Sequence, residues 1–233
     1  MMVSKGIENT DFVMPKDAYD TGKDTPTLNT YLTIIVRDSE GKIVKVHRQR
    51  SHSPTFNFIA LFLPIQYFTD CNCSATIKNT GGNTSSFRAC SVSNCGGISY
   101  PNAVTSPPTY LVMIQVGSGS QSNPFNAYNL ASPIANGSGS GQLAYGTPSV
   151  SPNINVSGSS AYFTISQTFN NSSGGTITIT EVGIITQVQG TTSYSTSSSN
   201  YGQFLVWYDV LSSSISVSNG GSVTIYYTFT VNP

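Results

Sequence analysis

The chain has 233 residues, of which 38% are apolar, enough for a real core in one large β-sandwich or two small domains. Only 9% are charged, against the roughly 25% usual in soluble globular proteins, and Ser, Thr, Asn and Gly fill the polar positions instead. The formal net charge is zero, which argues against a global field that would draw nucleic acid or an acidic membrane.

The charges are unevenly placed. All Lys and Arg lie between Lys5 and Arg88, and that part carries a net charge of +2. From Ala89 to Pro233 the only charged side chains are Glu181 and Asp209. Met1 to Thr10 is polar and lacks the apolar run of a secretory signal peptide, so ordinary secretion is not expected. Residues 1–29 mix charges with Gly and Pro without an apolar period and read as an extended or flexible arm. Such an arm either tethers a neighbour or is a disordered tail.

From residue 30 to 233 the pattern is that of a single, mainly β domain. Tyr31 to Val36 is a β-branched run, Asp38-Ser39-Glu40-Gly41 has turn chemistry, and Ile43 to His47 resumes the strand, predicting a hairpin. Lys42, Lys45, Arg48 and Arg50, with His47 and His52 among them, form its basic patch. A solvated strand face is the ordinary explanation, and nucleic acid is not expected because no aromatic residues interleave with the cations.

Pro54 to Phe68 is expected to be one short buried helix. Its apolar run is broken by Pro64 and falls short of the roughly 20 residues a membrane-spanning helix needs, so no transmembrane segment is predicted. Residues 70–108 are rich in Gly and Pro and read as a loop excursion holding every cysteine: Cys71, Cys73, Cys90 and Cys95. Two disulfides with open pairing are favoured over a zinc site, because C-x-C followed by C-x4-C departs from the usual C-x2-C knuckles. Disulfides without a signal peptide suit a protein made in a host cytoplasm and released on lysis, as virions are.

Further strands are predicted at Tyr110 to Val116, Gln142 to Val150, Tyr162 to Phe169, Thr176 to Val188, Gln203 to Leu211 and Val223 to Val231. With the hairpin they give about eight strands, the complement of an antiparallel β-sandwich, jelly-roll-like in character. In the last strand, Val223, Ile225, Tyr227, Phe229 and Val231 share one face and hydroxyl residues the other. Phe204 to Leu211 is apolar on both faces and should be a central, doubly covered strand.

No GxSxG elbow, P-loop, HExxH or EF-hand spacing occurs. A glycosidase needs two carboxylates flanking a sugar, and the β-rich half offers only Glu181 and Asp209, which are more ordinarily a hydrogen-bonded strand Glu and an edge or cap Asp. Both histidines sit in the basic hairpin away from any evident Cys or Asp partner. An enzyme is therefore not expected, and neither is a cofactor or metal. Sequons begin at Asn72, Asn83, Asn136, Asn155, Asn170 and Asn171, each in a predicted loop or strand edge, and are candidates for glycan attachment.

Two stretches carry a family likeness. Tyr31 to Phe62 (YLTIIVRDSEGKIVKVHRQRSHSPTFNFIALF) resembles the opening of a loosely defined group of phage and archaeal-virus structural proteins, in which a strand, an aspartate-glycine turn and a second strand lead into an apolar segment. Val116 to Val231 is similar through VGSGSQSNPFNAYNLASPI, GQLAYG, FNNSSGGTITITEVGII and SVTIYYTFTV. The resemblance implies a β-sandwich virion component of the capsid, its vertex or turret, or a tail. Its partners would be copies of itself and other virion proteins, with a host receptor or glycan as the alternative for a tail fibre or spike. The Cys71 to Cys95 excursion departs from the pattern, and no catalytic residue carries over.

Overall fold

A computed structural model describes residues 27–51, 54–62, 74–88, 112–151, 154–158, 160–190 and 200–232. The arm before residue 27, all four cysteines and residues 191–199 lie outside these residues.

Strands β1 (Thr27–Arg37) and β2 (Ile43–Ser51) form the expected hairpin. Asp38 builds its turn: Oδ1 accepts from the N–H of Glu40 at 3.0 Å and of Lys42 at 2.9 Å. Gly41 closes it at φ 81°, where a side chain would be strained. Because β1 starts at Thr27, the last three residues assigned to the arm belong to the sheet.

Helix α1 (Phe56–Phe62) lies within the predicted segment, whose residues 63–68 are outside the described residues. The predicted loop excursion contains a hairpin, β3 (Ser74–Lys78) and β4 (Thr84–Arg88). Buried Asn57 on α1 ties it down, its amide donating to Lys78 O at 2.8 Å and accepting from Lys78 N–H at 3.1 Å.

The remaining strands are β5 (Val112–Gly117), β6 (Ala144–Tyr145), β7 (Ser149–Val150), β8 (Asn155–Ser157), β9 (Ser160–Asn170), β10 (Ile177–Gly190), β11 (Asn200–Val217) and β12 (Ser222–Asn232). The predicted strand Gln142 to Val150 is thus two short pieces. Between them Gly146 approaches Thr168 O so closely that a Cβ there would collide, and Pro148 has no N–H for a ladder.

The architecture is mainly β, with antiparallel sheets packed face to face, as the alternation of apolar and hydroxyl residues requires. The larger sheet runs β2-β1-β12-β9-β6, with β7 and β8 continuing β6 along β9. The smaller runs β11-β10-β5. Between them lies one apolar core, in which Leu32, Ile34 and Val36 of β1 and Val223, Ile225 and Tyr227 of β12 meet Ile179, Val182 and Ile184 of β10 and Ile215 and Val217 of β11. The β12 alternation falls on the faces its sequence predicts, apart from terminal Val231, which is exposed.

The strand around Trp207 corrects an expectation. It is covered on both faces, yet among the described strands β11 is the edge of its sheet, not its centre. One face meets the larger sheet. The other carries Leu205 and Tyr208, which pack with Ala127, Leu130 and Ile185 beneath the β5–β6 connection. Side chains on both faces report coverage, whereas only backbone pairing reports position in a sheet.

Candidate functional site

Glu181 leaves β10 on the face turned away from the larger sheet and is fully buried. The β5–β6 connection folds over it. Oε1 accepts from Gly119 N–H at 3.1 Å and Ser132 N–H at 2.7 Å, and Oε2 from Ala131 N–H at 2.9 Å and the Tyr208 hydroxyl at 2.8 Å. The Tyr208 oxygen in turn accepts from Gln121 N–H at 2.8 Å. One carboxylate therefore satisfies the backbone of a loop that would otherwise bury unpaired donors. A Cβ at Gly117 or Gly119 would strike the Glu181 side chain, which explains glycine at these two positions of the G-S-G run. Burial, followed by the neighbouring Glu181 carboxylate, pushes the Tyr208 phenol well above its usual pKa.

Asp209 points the opposite way, into the space between the sheets. Its Oδ2 accepts from Ser51 Oγ of β2 at 2.6 Å and from the Tyr227 hydroxyl of β12 at 2.9 Å. Trp207 Nε1 donates to the same Ser51 Oγ. Trp207, Ser51, Asp209 and Tyr227 form a buried polar chain that ties three strands together. Burial, then the Asp209 charge, raises the Tyr227 phenol well above its usual pKa.

The two carboxylates thus occupy opposite faces of the smaller sheet, each enclosed by its own donors, and they do not flank a common cleft. His47 adds no third partner. His47 contacts Gln49 Oε1 through Nε2 at 2.9 Å and Ser213 Oγ through Nδ1 at 3.3 Å, and His52 is outside the described residues. Among the described residues no group of three or more His, Cys, Asp or Glu is placed to hold a metal.

Polar side chains of the larger sheet close both open sides of the sandwich. On the β5 side, buried Gln167 accepts from Ile114 N–H at 2.7 Å and donates to Gly146 O at 2.8 Å, while Tyr145 donates its hydroxyl to Ile134 O at 2.7 Å. On the β11 side, Gln49 donates to Val210 O at 3.1 Å and accepts from Ser212 N–H at 3.0 Å, and Lys45 Nζ donates to Ser214 O at 2.8 Å. Farther along β11, Thr55 N–H donates to Val206 O at 3.1 Å and its hydroxyl to Leu205 O at 2.7 Å. Among the described residues, both edges of the smaller sheet are thereby occupied without an added strand.

The basic patch consequently divides. Lys45 turns toward β11 with His47, Gln49 and Ser51, whereas Arg48 and Arg50 alternate to the outer face of the larger sheet, where Arg50 reaches Asn29 Oδ1 at 2.6 Å. Lys42 is exposed at the turn. The strand register extends the outer face into rows: Arg50, Tyr31, Thr228 and Thr164; Arg48, Thr33, Tyr226 and Ser166; Val46, Ile35, Thr224 and Thr168. The hydroxyls of Thr164 and Thr228 lie 3.2 Å apart and those of Thr168 and Thr224 2.9 Å apart. No carboxylate lies in these rows.

Among the sequons, Asn83, Asn136, Asn155 and Asn170 are exposed. Asn171 corrects the expectation of an accessible acceptor. It is buried, and its Nδ2 donates to Gly175 O at 2.8 Å and Val217 O at 2.7 Å, which leaves the amide no room for a glycan. Asn72 and Cys71, Cys73, Cys90 and Cys95 lie outside the described residues.

The sequence reading missed Gln167, Gln49, Ser51 and Tyr208 as organising residues. A signal existed for Gln167: it shares alternation phase with Ile165 and Phe169, so a polar side chain on a core face needed a partner.

Compared with known protein families, curated proteins and solved structures, the chain matches none.

Proposed function

We propose that this chain is a non-enzymatic structural protein of a virus particle, forming part of the capsid, a vertex or a turret by self-assembly and by contact with other virion proteins. The observation that carries this reading is the outer face of the larger sheet, with its rows of Thr, Tyr and Ser on β1, β12 and β9 and its cations along β2 and at Arg37, the end of β1. Neutral hydroxyl-rich surface is cheap to desolvate against a like surface, because few charges must be stripped of water. Enclosure of Glu181 and Asp209 by structural donors supports a scaffold role in the same way. The family likeness of Tyr31 to Phe62 and Val116 to Val231 points to a virion made in a host cytoplasm as the setting.

Size-exclusion chromatography with light scattering on the recombinant chain tests this reading. A discrete ring or trimer is expected, and a stable monomer at high concentration overturns it.

A second reading, a receptor- or glycan-binding module of a fibre or spike, is favoured by one feature. Phe56 and Phe125 are 45% and 48% exposed with ring centroids 6.0 Å apart, and nearby Tyr128 holds Lys78 Nζ 3.8 Å over its ring. Such rings suit stacking against sugars. A monomer that binds on a glycan array selects this alternative.

A further inference from the structure

The two sheets treat their edges differently. Both edges of the smaller sheet are occupied, but β2 is the outermost strand of the larger sheet, and among the described residues nothing pairs with its outer backbone edge. It is long for an edge strand and keeps Ile43, Val44 and Val46 about half exposed. An unpaired edge of this kind is a template for another strand. A second β2 is a poorer occupant, because full antiparallel self-pairing sets Arg50 opposite Val44 and Arg48 opposite Val46, with the two Arg48 side chains diagonal to each other, and supplies no carboxylate for any of these cations.

The chain itself contains a better match. Outward-facing residues of β2 read Val44, Val46, Arg48 and Arg50, apolar at one end and cationic at the other. Before Thr27 stands Glu8-Asn9-Thr10-Asp11-Phe12-Val13-Met14, whose alternate residues read Glu8, Thr10, Phe12 and Met14. Laid antiparallel, this segment sets Glu8 opposite Arg50, Thr10 opposite Arg48, Phe12 opposite Val46 and Met14 opposite Val44. On the other face Asp11 then falls opposite His47 and diagonal to Lys45. Pro15, which lacks an N–H, follows the last pair and ends the ladder. The parallel orientation would put Glu8 on Val44 and Met14 on Arg50, and a slip by one residue would exchange the faces.

We propose that residues 8–14 of a second copy add to β2 as an antiparallel strand, with Glu8 opposite Arg50 and Phe12 opposite Val46. The proposal rests on the assembly reading above and names its contact. The added strand runs parallel to β1, so a chain supplying its own arm would have to return along the whole sheet edge through residues 15–26, which begin and end in proline and contain Gly22. Connections between strands of like direction take about a dozen residues or more and are usually helical. A neighbour's arm meets no such restriction.

Zero-length carbodiimide coupling of the full chain joins carboxylates to amines in contact. An Asp11–Lys45 linked peptide is expected in the covalent multimer bands of a reducing denaturing gel. Its recovery from the monomer band alone overturns the proposal in favour of the chain's own arm. A discrete oligomer by light scattering that lacks this link overturns the proposed contact and leaves the assembly reading standing, whereas a monomer by light scattering overturns that reading as well. Charge exchange gives an independent check: Glu8→Arg and Arg50→Glu should each weaken association about tenfold or more, and the two together should restore it. Failure of the pair to rescue, with each single variant still folded, overturns the register.

Discussion

Tyr208 donates its hydroxyl proton to Oε2 of Glu181 at 2.8 Å, and both side chains are fully buried on the face of the smaller sheet that the β5–β6 connection covers. Because three backbone N–H groups of that connection also end on the carboxylate, the loop and sheet depend on one acceptor. Glu181→Gln keeps the shape but aims an amide N–H₂ at groups that donate. We expect a loss of about 2 kcal/mol, within the range for an unsatisfied buried donor. Chemical denaturation should show a lower midpoint with an unchanged slope, and an unaltered midpoint would refute the organising role of Glu181.

The closure of the sandwich sides by glutamine predicts an asymmetry. Gln167→Leu leaves Ile114 N–H and Gly146 O unpaired in buried surroundings and should cost about 1–3 kcal/mol. Gln49→Leu removes equivalent bonds at the more exposed β11 edge, where water replaces them, and should cost less than about 1 kcal/mol. Thermal denaturation of the two variants in parallel decides the matter. Equal losses would mean that burial does not set the value of these bonds.

Gly183 lies where the β5–β6 connection presses on the sheet. A Cβ there would stand 2.5 Å from Leu205 Cδ1, 2.9 Å from Trp207 O and 3.1 Å from Leu130 Cδ2. Gly183→Ala should destabilise by about 1–3 kcal/mol through overpacking, although alanine usually suits a strand better than glycine. A stability equal to or above that of the parent would show that the connection yields freely.

Three phenols make the fold sensitive to alkali. Burial pushes Tyr145 to about 12 and, aided by neighbouring carboxylates, raises Tyr208 and Tyr227 well above their ordinary range. These folded-state values exceed that of a free phenol, so above about pH 10 the unfolded chain holds fewer protons than the folded one. Their stabilising contribution is complete below about pH 10 and declines as pH rises above it, that of Tyr145 being lost through about 12. Melting temperature should fall steeply across that window, together with the tyrosinate absorbance change. Early titration of all the tyrosines in the folded protein, with no loss of stability, would contradict the buried placement.

Overlapping sequons allow a sharp comparison. In a glycosylating host, Asn170 has an exposed side chain available for modification, whereas Asn171 has committed its amide to Gly175 O and Val217 O. Glycopeptide mapping should find no glycan on Asn171. Asn171→Ala should cost about 1–3 kcal/mol by leaving buried carbonyls unpaired. Occupancy at Asn171 in folded protein would refute the burial.

Much of the sheet structure was legible in the residue pattern. The β1–β2 hairpin follows from two β-branched runs around an Asp-Gly turn, and β12 follows from strict alternation, because both signals are local. Less legible was the division of strands between sheets. Phe204 to Leu211 announces coverage on two sides, yet the cover comes partly from Thr55 and the β5–β6 connection, segments distant in sequence. Of the candidate site, the sequence offered the isolation of Glu181 and Asp209 in an otherwise uncharged half, but not their partners.

Composition and alternation by themselves determined that this chain makes antiparallel sheets with a hydroxyl-rich exterior, because a period of two and a scarcity of charge leave few other ways to bury its apolar residues. Only the tertiary structure decided that Glu181 and Asp209 face opposite ways, that Gln167 and Gln49 close the sandwich, and that Asn171 is a structural amide. Each of these depends on hydrogen bonds between residues far apart in the chain or on which side of a strand is enclosed, and neither is encoded in any local run of residues.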